Sequence, residues 1–333
     1  MQPKSHHTVP RLHLQHFAGE EPAGQVWTYD AETGRSWSTI PEETATQTHF
    51  YSAERADGSM DPTVEVFLSE VEGRAAPVYE GLLRGTIPGE SPPRMDFAQF
   101  LALMYTRTTA MRRIAAEVRG RGAQIHQFAY ASDPKAFEAL TRRAEAEKGA
   151  PIDPAVKELI RREMLHPSGN YTIEVSKEST FMAMGAADRL TPLFYNMTWA
   201  LADASEGYFI TSDNALVRVV DPKTCHPIYG DHGFLNKTAE VSFPLSPGLL
   251  LVMCWERDVP ARAALRRDYV NMANGARAAH SERFVYAHRR DEKIAQLVAT
   301  HKDSRPAMTL EGFGPENFAP IQIARRSKKS ERH

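Results

Sequence analysis

Ala239-Glu240-Val241-Ser242-Phe243-Pro244-Leu245-Ser246-Pro247-Gly248-Leu249-Leu250-Leu251-Val252-Met253-Cys254-Trp255 decides the fold class. Over 239–243 apolar and polar residues alternate, the period of a strand with one buried face. The run 249–255 is continuously apolar, as a fully buried strand is, and 244–248 supply a Pro- and Gly-containing connection. Together they read as a pair of strands. Upstream, 207–211 and 216–220 read as further strands flanking Ser212-Asp213-Asn214.

Ahead of these strands the period lengthens to that of a helix. Asp61-Pro62 sets an N-cap before a proline at the first helical position, and Val64, Phe67, Leu68, Val71 and Ala75 follow at helical spacing. Asp96 reads as the cap of a helix through Phe97, Phe100, Leu101, Met104 and Ile114. Asp133-Pro134 and Asp153-Pro154 open two more, and Ser176 opens a longer helix interrupted near Thr191-Pro192. Residues 25–29, 36–40 and 48–51 are expected to form a small β-meander, and 260–286 to return to helix. The expected fold is α+β: N-terminal β-meander, helical middle layer, C-terminal antiparallel strands and closing helix. No Gly/Ser tract separates the blocks, so one domain over 1–324 is expected, with a basic disordered tail over 325–333.

Composition excludes some functions. In 333 residues, 40 Lys and Arg stand against 42 Asp and Glu, a net charge of -2. Residues 1–324 carry 35 basic and 41 acidic groups, or -6, because five Lys or Arg and one Glu lie in 325–333. A body of that sign is not a duplex-DNA coat, and any nucleic-acid contact must be local. The two cysteines, Cys225 and Cys254, form no Cys-x-x-Cys, which argues against a disulfide scaffold or a four-thiolate zinc site and fits a reducing cytosol. The longest apolar run falls far short of the ~20 residues that span a bilayer, and no signal-peptide core opens the chain. A cytoplasmic protein without membrane contact is expected. Walker, dinucleotide-binding, zincin and nucleophile-elbow motifs are all absent.

What remains is a short set of polar candidates. His6-His7-Thr8-Val9-Pro10 opens a histidine cluster with His13 and His16. Imidazole can ligate a metal or shuttle protons, and His7 is favoured because Val9-Pro10 fixes the backbone beside it. The competing reading is a segment docked through Val9, Leu12, Leu14 and Phe17 with solvated histidines. Glu65 and Glu72 lie two turns apart on one helix face, placed to meet a metal or an arginine if buried, or water if not. In Phe209-Ile210-Thr211-Ser212-Asp213-Asn214 an apolar strand ends in a polar cluster. Asp213 could ligate a metal or act as a base and Asn214 could orient a substrate oxygen; equally, both suit an Asx-turn. Asp213 with Asp221-Pro222-Lys223 matches an acid…acid-x-Lys nuclease pattern only superficially, since Asp-Pro-Lys is an ordinary turn. Arg107 sits on an otherwise apolar helix and requires a carboxylate or phosphate partner, for which Glu72 and Asp213 are available.

Three stretches carry a resemblance: His7-Thr8-Val9-Pro10-Arg11-Leu12-His13-Leu14-Gln15-His16-Phe17, Phe209-Ile210-Thr211-Ser212-Asp213-Asn214 and Phe243-Pro244-Leu245-Ser246-Pro247. Their order and spacing resemble the bacterial and fungal family known as domain of unknown function 4238, over His7 to about Tyr286. The resemblance adds weight to His7, Arg107, Asp213 and Asn214. It departs from the family pattern at Ala215 and Thr108, where prolines are usual. The leading expectation is a metal-dependent hydrolase acting on a phosphodiester or nucleotide-like substrate, with nucleic acid or a nucleotide as partner. His7, Glu72 and Asp213 would hold a divalent ion that activates water, Arg107 would stabilise developing charge, and Asn214 would orient substrate. The alternative is a non-catalytic interaction or defence-associated regulatory protein.

Overall fold

The computed structural model describes residues 5–48, 63–166, 184–226, 230–231 and 233–304. β1 (Ser5–His7), the one-turn α1 (Arg11–Leu14), β2 (Val26–Asp30), β3 (Ser36–Thr39) and β4 (Thr46–Thr48) come first. The middle is helical: α2 (Thr63–Leu83), α3 (Pro92–Thr106), α4 (Thr109–Ser132), α5 (Pro134–Lys148) and α6 (Pro154–Leu165). Then follow α7 (Ala187–Asn196), β5 (Thr198–Ala204), β6 (Thr211–Ser212), β7 (Val217–Val219), β8 (Glu240–Ser246) and β9 (Leu249–Cys254). β10 (Arg262–Leu265), α8 (Arg267–His280), β11 (Phe284–Ala287) and α9 (Glu292–His301) end the described chain. The mixed α and β architecture, with N-terminal strands, a helical middle, and C-terminal strands and helix, is the one the sequence implies. The described residues fall into two compact units, one from Met1–Met111 with Thr180–Ala307 and one from Arg112–Ser179.

Among the described residues the first unit holds three sheets. Five strands run in the order β10-β5-β9-β8-β7, four in the order β3-β2-β11-β6, and β1 pairs with β4. The opening stretch forms the antiparallel hairpin β8-β9, with a register shift between Pro244 and Ser246. One face of β8 turns Val241, Phe243 and Leu245 into a core shared with Tyr79 and Leu82 of α2 and Phe97, Phe100 and Leu101 of α3. Each such side chain contributes about 1.5–3 kcal/mol on burial. The opposite face of that sheet, through Ala202 and Leu250, is covered by Val270 of α8. In the four-stranded sheet the two-residue alternation divides Val26 and Tyr286, in the main core, from Tyr29, Val285 and Ala287, which pack under Ile294 and Val298 of α9.

Several elements differ from expectation for identifiable reasons. Residues 46–48 pair with β1 and not with β2 or β3, which are joined in their sheet by β11 and β6; residues 49–51 of the expected third meander strand lie outside the described residues. α3 starts at Pro92-Pro93 after Ser91, not at Asp96, whose carboxylate instead accepts from Arg74 Nε at 3.1 Å. That helix stops at Thr106 because Arg107 leaves the helical region at ψ 0°. Thr108 Oγ1 then accepts from the Met111 amide at 3.2 Å, restarting the chain as α4. Pro192 lies inside α7 instead of ending a helix. Within 260–286 only α8 is helical, since β10 pairs in parallel with β5 and β11 forms a central strand. The Asp133 and Asp153 caps form as expected, accepting from the amides of Lys135 at 2.8 Å and Ala155 at 2.7 Å. Asp61-Pro62, Ser176 and the tail 325–333 lie outside the described residues.

Candidate functional site

The 209–214 stretch is irregular up to β6 and then turns sharply, and Asp213 is what holds that turn. Its Oδ1 accepts from the Glu282 amide at 2.8 Å, and its Oδ2 accepts from the amides of Arg283 and Phe284, each at 2.8 Å. The amide of Asp213 donates back to the Phe284 carbonyl at 2.9 Å. Asn214 Nδ2 donates to the His280 carbonyl at 3.0 Å. Asp30 of β2 grips the same connection from the other side, accepting Arg283 Nε at 3.0 Å and Nη2 at 2.7 Å. The α8–β11 junction is therefore braced by three polar side chains. Burial pushes the Asp213 carboxyl up to about 6, against the pull of its three amide donors. Burial also raises Asp30, but the Arg283 hydrogen bonds and the Glu32 and Thr33 contacts outweigh it and hold that carboxyl at about 2.

A second polar group lies in the core. His13, on α1, is fully buried, with Nδ1 at 2.9 Å from Tyr79 Oη and Nε2 at 2.7 Å from Thr211 Oγ1. Tyr79 Oη donates its single proton to the Leu245 carbonyl at 2.8 Å. It can therefore only accept from His13, which fixes the Nδ1–H tautomer and leaves Nε2 to accept from Thr211. Burial, reinforced by the positive charges of His16, Arg277 and Arg107, holds this imidazole well below its ordinary range. Arg277 of α8 is also fully buried and donates to the carbonyls of Ala215 and Ala273 and to Ser242 Oγ. Burial lowers its pKa to about 9.

The sequence candidates divide accordingly. Arg107 and Glu72 are brought together, Nη1 to Oε1 at 2.9 Å, with the arginine side chain 2% exposed and the glutamate 27%. Asp213 and Asn214 both bind the protein's own backbone. Asp221 caps a single turn by accepting from the Lys223 amide at 2.9 Å, the ordinary Asp-Pro-Lys reading. His7 ends β1, and its side chain lies outside the described residues. Among the described residues, no three His, Cys, Asp or Glu side chains are grouped to hold a metal ion. Also among them, no helix is long and apolar enough to cross a membrane.

Sequence reading passed over His13, Tyr79, Asp30, Arg277 and Arg283. The spacing of Val9, Leu12, Leu14 and Phe17 gives a docked segment, but not which imidazole turns inward with it. Arg277 and Arg283 sit in a stretch read as continuous helix, which concealed that one is core and the other a strand-entry clamp.

No curated protein and no solved structure matches the chain. A family model described as "Protein of unknown function (DUF4238)" matches residues 5–291, which takes in the His7–Phe17 segment, the Asp213 turn and the β8-β9 hairpin. A match of that extent, spanning the elements that build the braced core, makes the chain a member of the DUF4238 family.

Proposed function

We propose that the chain is a cytoplasmic, non-catalytic interaction protein, a regulatory or defence-associated module whose polar motifs brace its own backbone. Asp213 carries this reading. Three amides at 2.8 Å take three of the about four acceptor positions of its carboxylate, both of those on Oδ2, whereas a metal ligand or general base turns its oxygens to the ion or proton. The test is hydrolysis of bis(p-nitrophenyl) phosphate and of single- and double-stranded nucleic acid with Mg2+ or Mn2+. The reading expects no turnover that distinguishes the wild type from Asp213→Asn or Glu72→Gln. Divalent-dependent turnover that Glu72→Gln abolishes in a folded protein overturns it.

A second reading is favoured by one observation, the meeting of Arg107 and Glu72 at 2.9 Å. A divalent-metal hydrolase of a phosphodiester or nucleotide-like substrate uses a guanidinium beside a ligand carboxylate to offset developing charge. In that reading His7, Glu72 and Asp213 hold the ion, while Arg107 and Asn214 face the substrate. Isothermal titration with Mn2+ separates the two readings, since only the second expects binding that Glu72→Gln weakens.

A further inference from the structure

The turn that Asp213 holds brings three polar atoms of complementary chemistry to one place. Its three amides take both acceptor positions of Oδ2 and one of Oδ1, so a lone pair of Asp213 Oδ1 stays open. Asn214 Nδ2 donates to the His280 carbonyl at 3.0 Å, which fixes how that amide is turned and leaves its Oδ1 as the acceptor. Asn214 is 6% exposed, and among the described residues no donor reaches this oxygen. Tyr286 is 1% exposed, and its Oη meets no partner among them either. Burial, then the Asp213 carboxylate, holds this phenol well above its ordinary range, so it keeps its proton to donate.

The sheet register sets these groups side by side. Tyr286 of β11 pairs with Thr211 of β6, and the Asp213 amide donates to the Phe284 carbonyl. Asp213 is thus the diagonal cross-strand neighbour of Tyr286, a separation that an aromatic side chain spans. Asn214 follows it in the chain. Buried polar atoms are almost always partnered, and where the protein supplies no partner an enclosed water does so, making about three hydrogen bonds.

Polarity selects the occupant. An anion is repelled by two acceptors, Asp213 Oδ1 and Asn214 Oδ1. A cation meets the guanidinium of Arg277, whose Nε donates to the carbonyl of Ala215, next to Asn214. Arg277 is fully buried, and among the described residues its bonds go to two carbonyls and a hydroxyl, so no carboxylate offsets its charge. A water has the two donors and the acceptor that the site calls for. We propose that one ordered water is built into the turn, donating to Asp213 Oδ1 and Asn214 Oδ1 and accepting from Tyr286 Oη. The inference rests on the structural reading of Asp213 above, and it fills the acceptor position that a metal would need.

The test uses the full chain and Tyr286→Phe, which removes a single oxygen from the core. A high-resolution crystal structure of the wild type is expected to show one water within about 3.2 Å of all three oxygens. The thermal midpoint of Tyr286→Phe is expected to fall, because the water loses a donor. A hydroxyl without a partner gives the opposite sign, since its removal relieves a desolvated group. An unchanged or higher midpoint, or empty density at the position, overturns the inference. So does an anomalous peak there in crystals soaked with Mn2+, which replaces the water by a cation and counts against the non-catalytic reading as well. Empty density without that peak overturns the water alone, so the two failures are distinguishable.

Discussion

Asp213 and Phe284 hold each other in both directions: the Asp213 amide donates to the Phe284 carbonyl at 2.9 Å, and the Phe284 amide donates to the Asp213 carboxylate at 2.8 Å. The second bond uses an oxygen that also accepts from the Arg283 amide. Asparagine at 213 keeps one acceptor and sets an N–H2 group against a backbone donor. Leaving a buried donor unmatched destabilises by about 1–3 kcal/mol. Asp213→Asn is therefore expected to lower unfolding free energy by at least that amount in urea titration. An unchanged midpoint would show that the clamp does not hold the junction.

Glu72 and Arg107 form a pair whose two members are unequally exposed. Removing the glutamate takes the carboxylate from a guanidinium that is 2% exposed, and breaking a buried ion pair by removing one partner destabilises by up to about 3–5 kcal/mol. The water-facing side of Glu72 moderates this, so the expected loss for Glu72→Ala is about 2 kcal/mol. Glu72→Ala with Arg107→Met should be more stable than Glu72→Ala alone. Additive losses in the double-mutant cycle would contradict the pairing.

His13 is fixed as the Nδ1–H tautomer because Tyr79 spends its proton on the Leu245 carbonyl. Its ring is expected to show the nitrogen shifts of a neutral, Nδ1-protonated imidazole in a heteronuclear spectrum at neutral pH. Thr211→Val removes the donor to Nε2 and is expected to destabilise by about 1–3 kcal/mol. A protonated ring, or the other tautomer, would sink the assignment.

Acid sensitivity follows from the same burial. His13, His16, His280 and His288 all lie below the ordinary imidazole value of 6.5, each lowered first by burial. Their folded-state pKa is below the unfolded one, so the unfolded chain takes up protons first. Stability is intact above about 6.5 and falls as pH drops below it, by up to about 1.4 kcal/mol per pH unit for the fully buried His13 and by less for the partly buried His16, His280 and His288, whose charge solvent screens. Asp213 acts in the opposite sense. Raised to about 6 by burial, it contributes stability that is lost as pH rises from about 4 to 6. The thermal midpoint is expected to fall between about pH 7 and 5, and to fall more steeply in Asp213→Asn. A flat profile would contradict the neutral buried histidines.

The legible parts of this molecule are those written in local chemistry. Asp133-Pro134 and Asp153-Pro154 announce helix starts, and the period-two stretch at 239–243 with its apolar partner announces a hairpin. Arg107 also announces a buried pairing, because its neighbours leave it no water. Long-range choices were not visible. Thr46–Thr48 pairs with Ser5–His7, and Phe284–Ala287 enters between β2 and β6, through contacts that no local window contains. Asp213 illustrates the limit most directly. Its turn chemistry was readable, but the three amides it serves lie 69 to 71 residues away.

The most direct test of a structural Asp213 is amide hydrogen exchange at Glu282, Arg283 and Phe284, with and without saturating Mg2+. The three amides should be protected in the wild type, deprotected in Asp213→Asn, and unaffected by the ion. Faster exchange at these amides when Mg2+ is added would mean that the carboxylate leaves the backbone to bind metal, and would contradict the account.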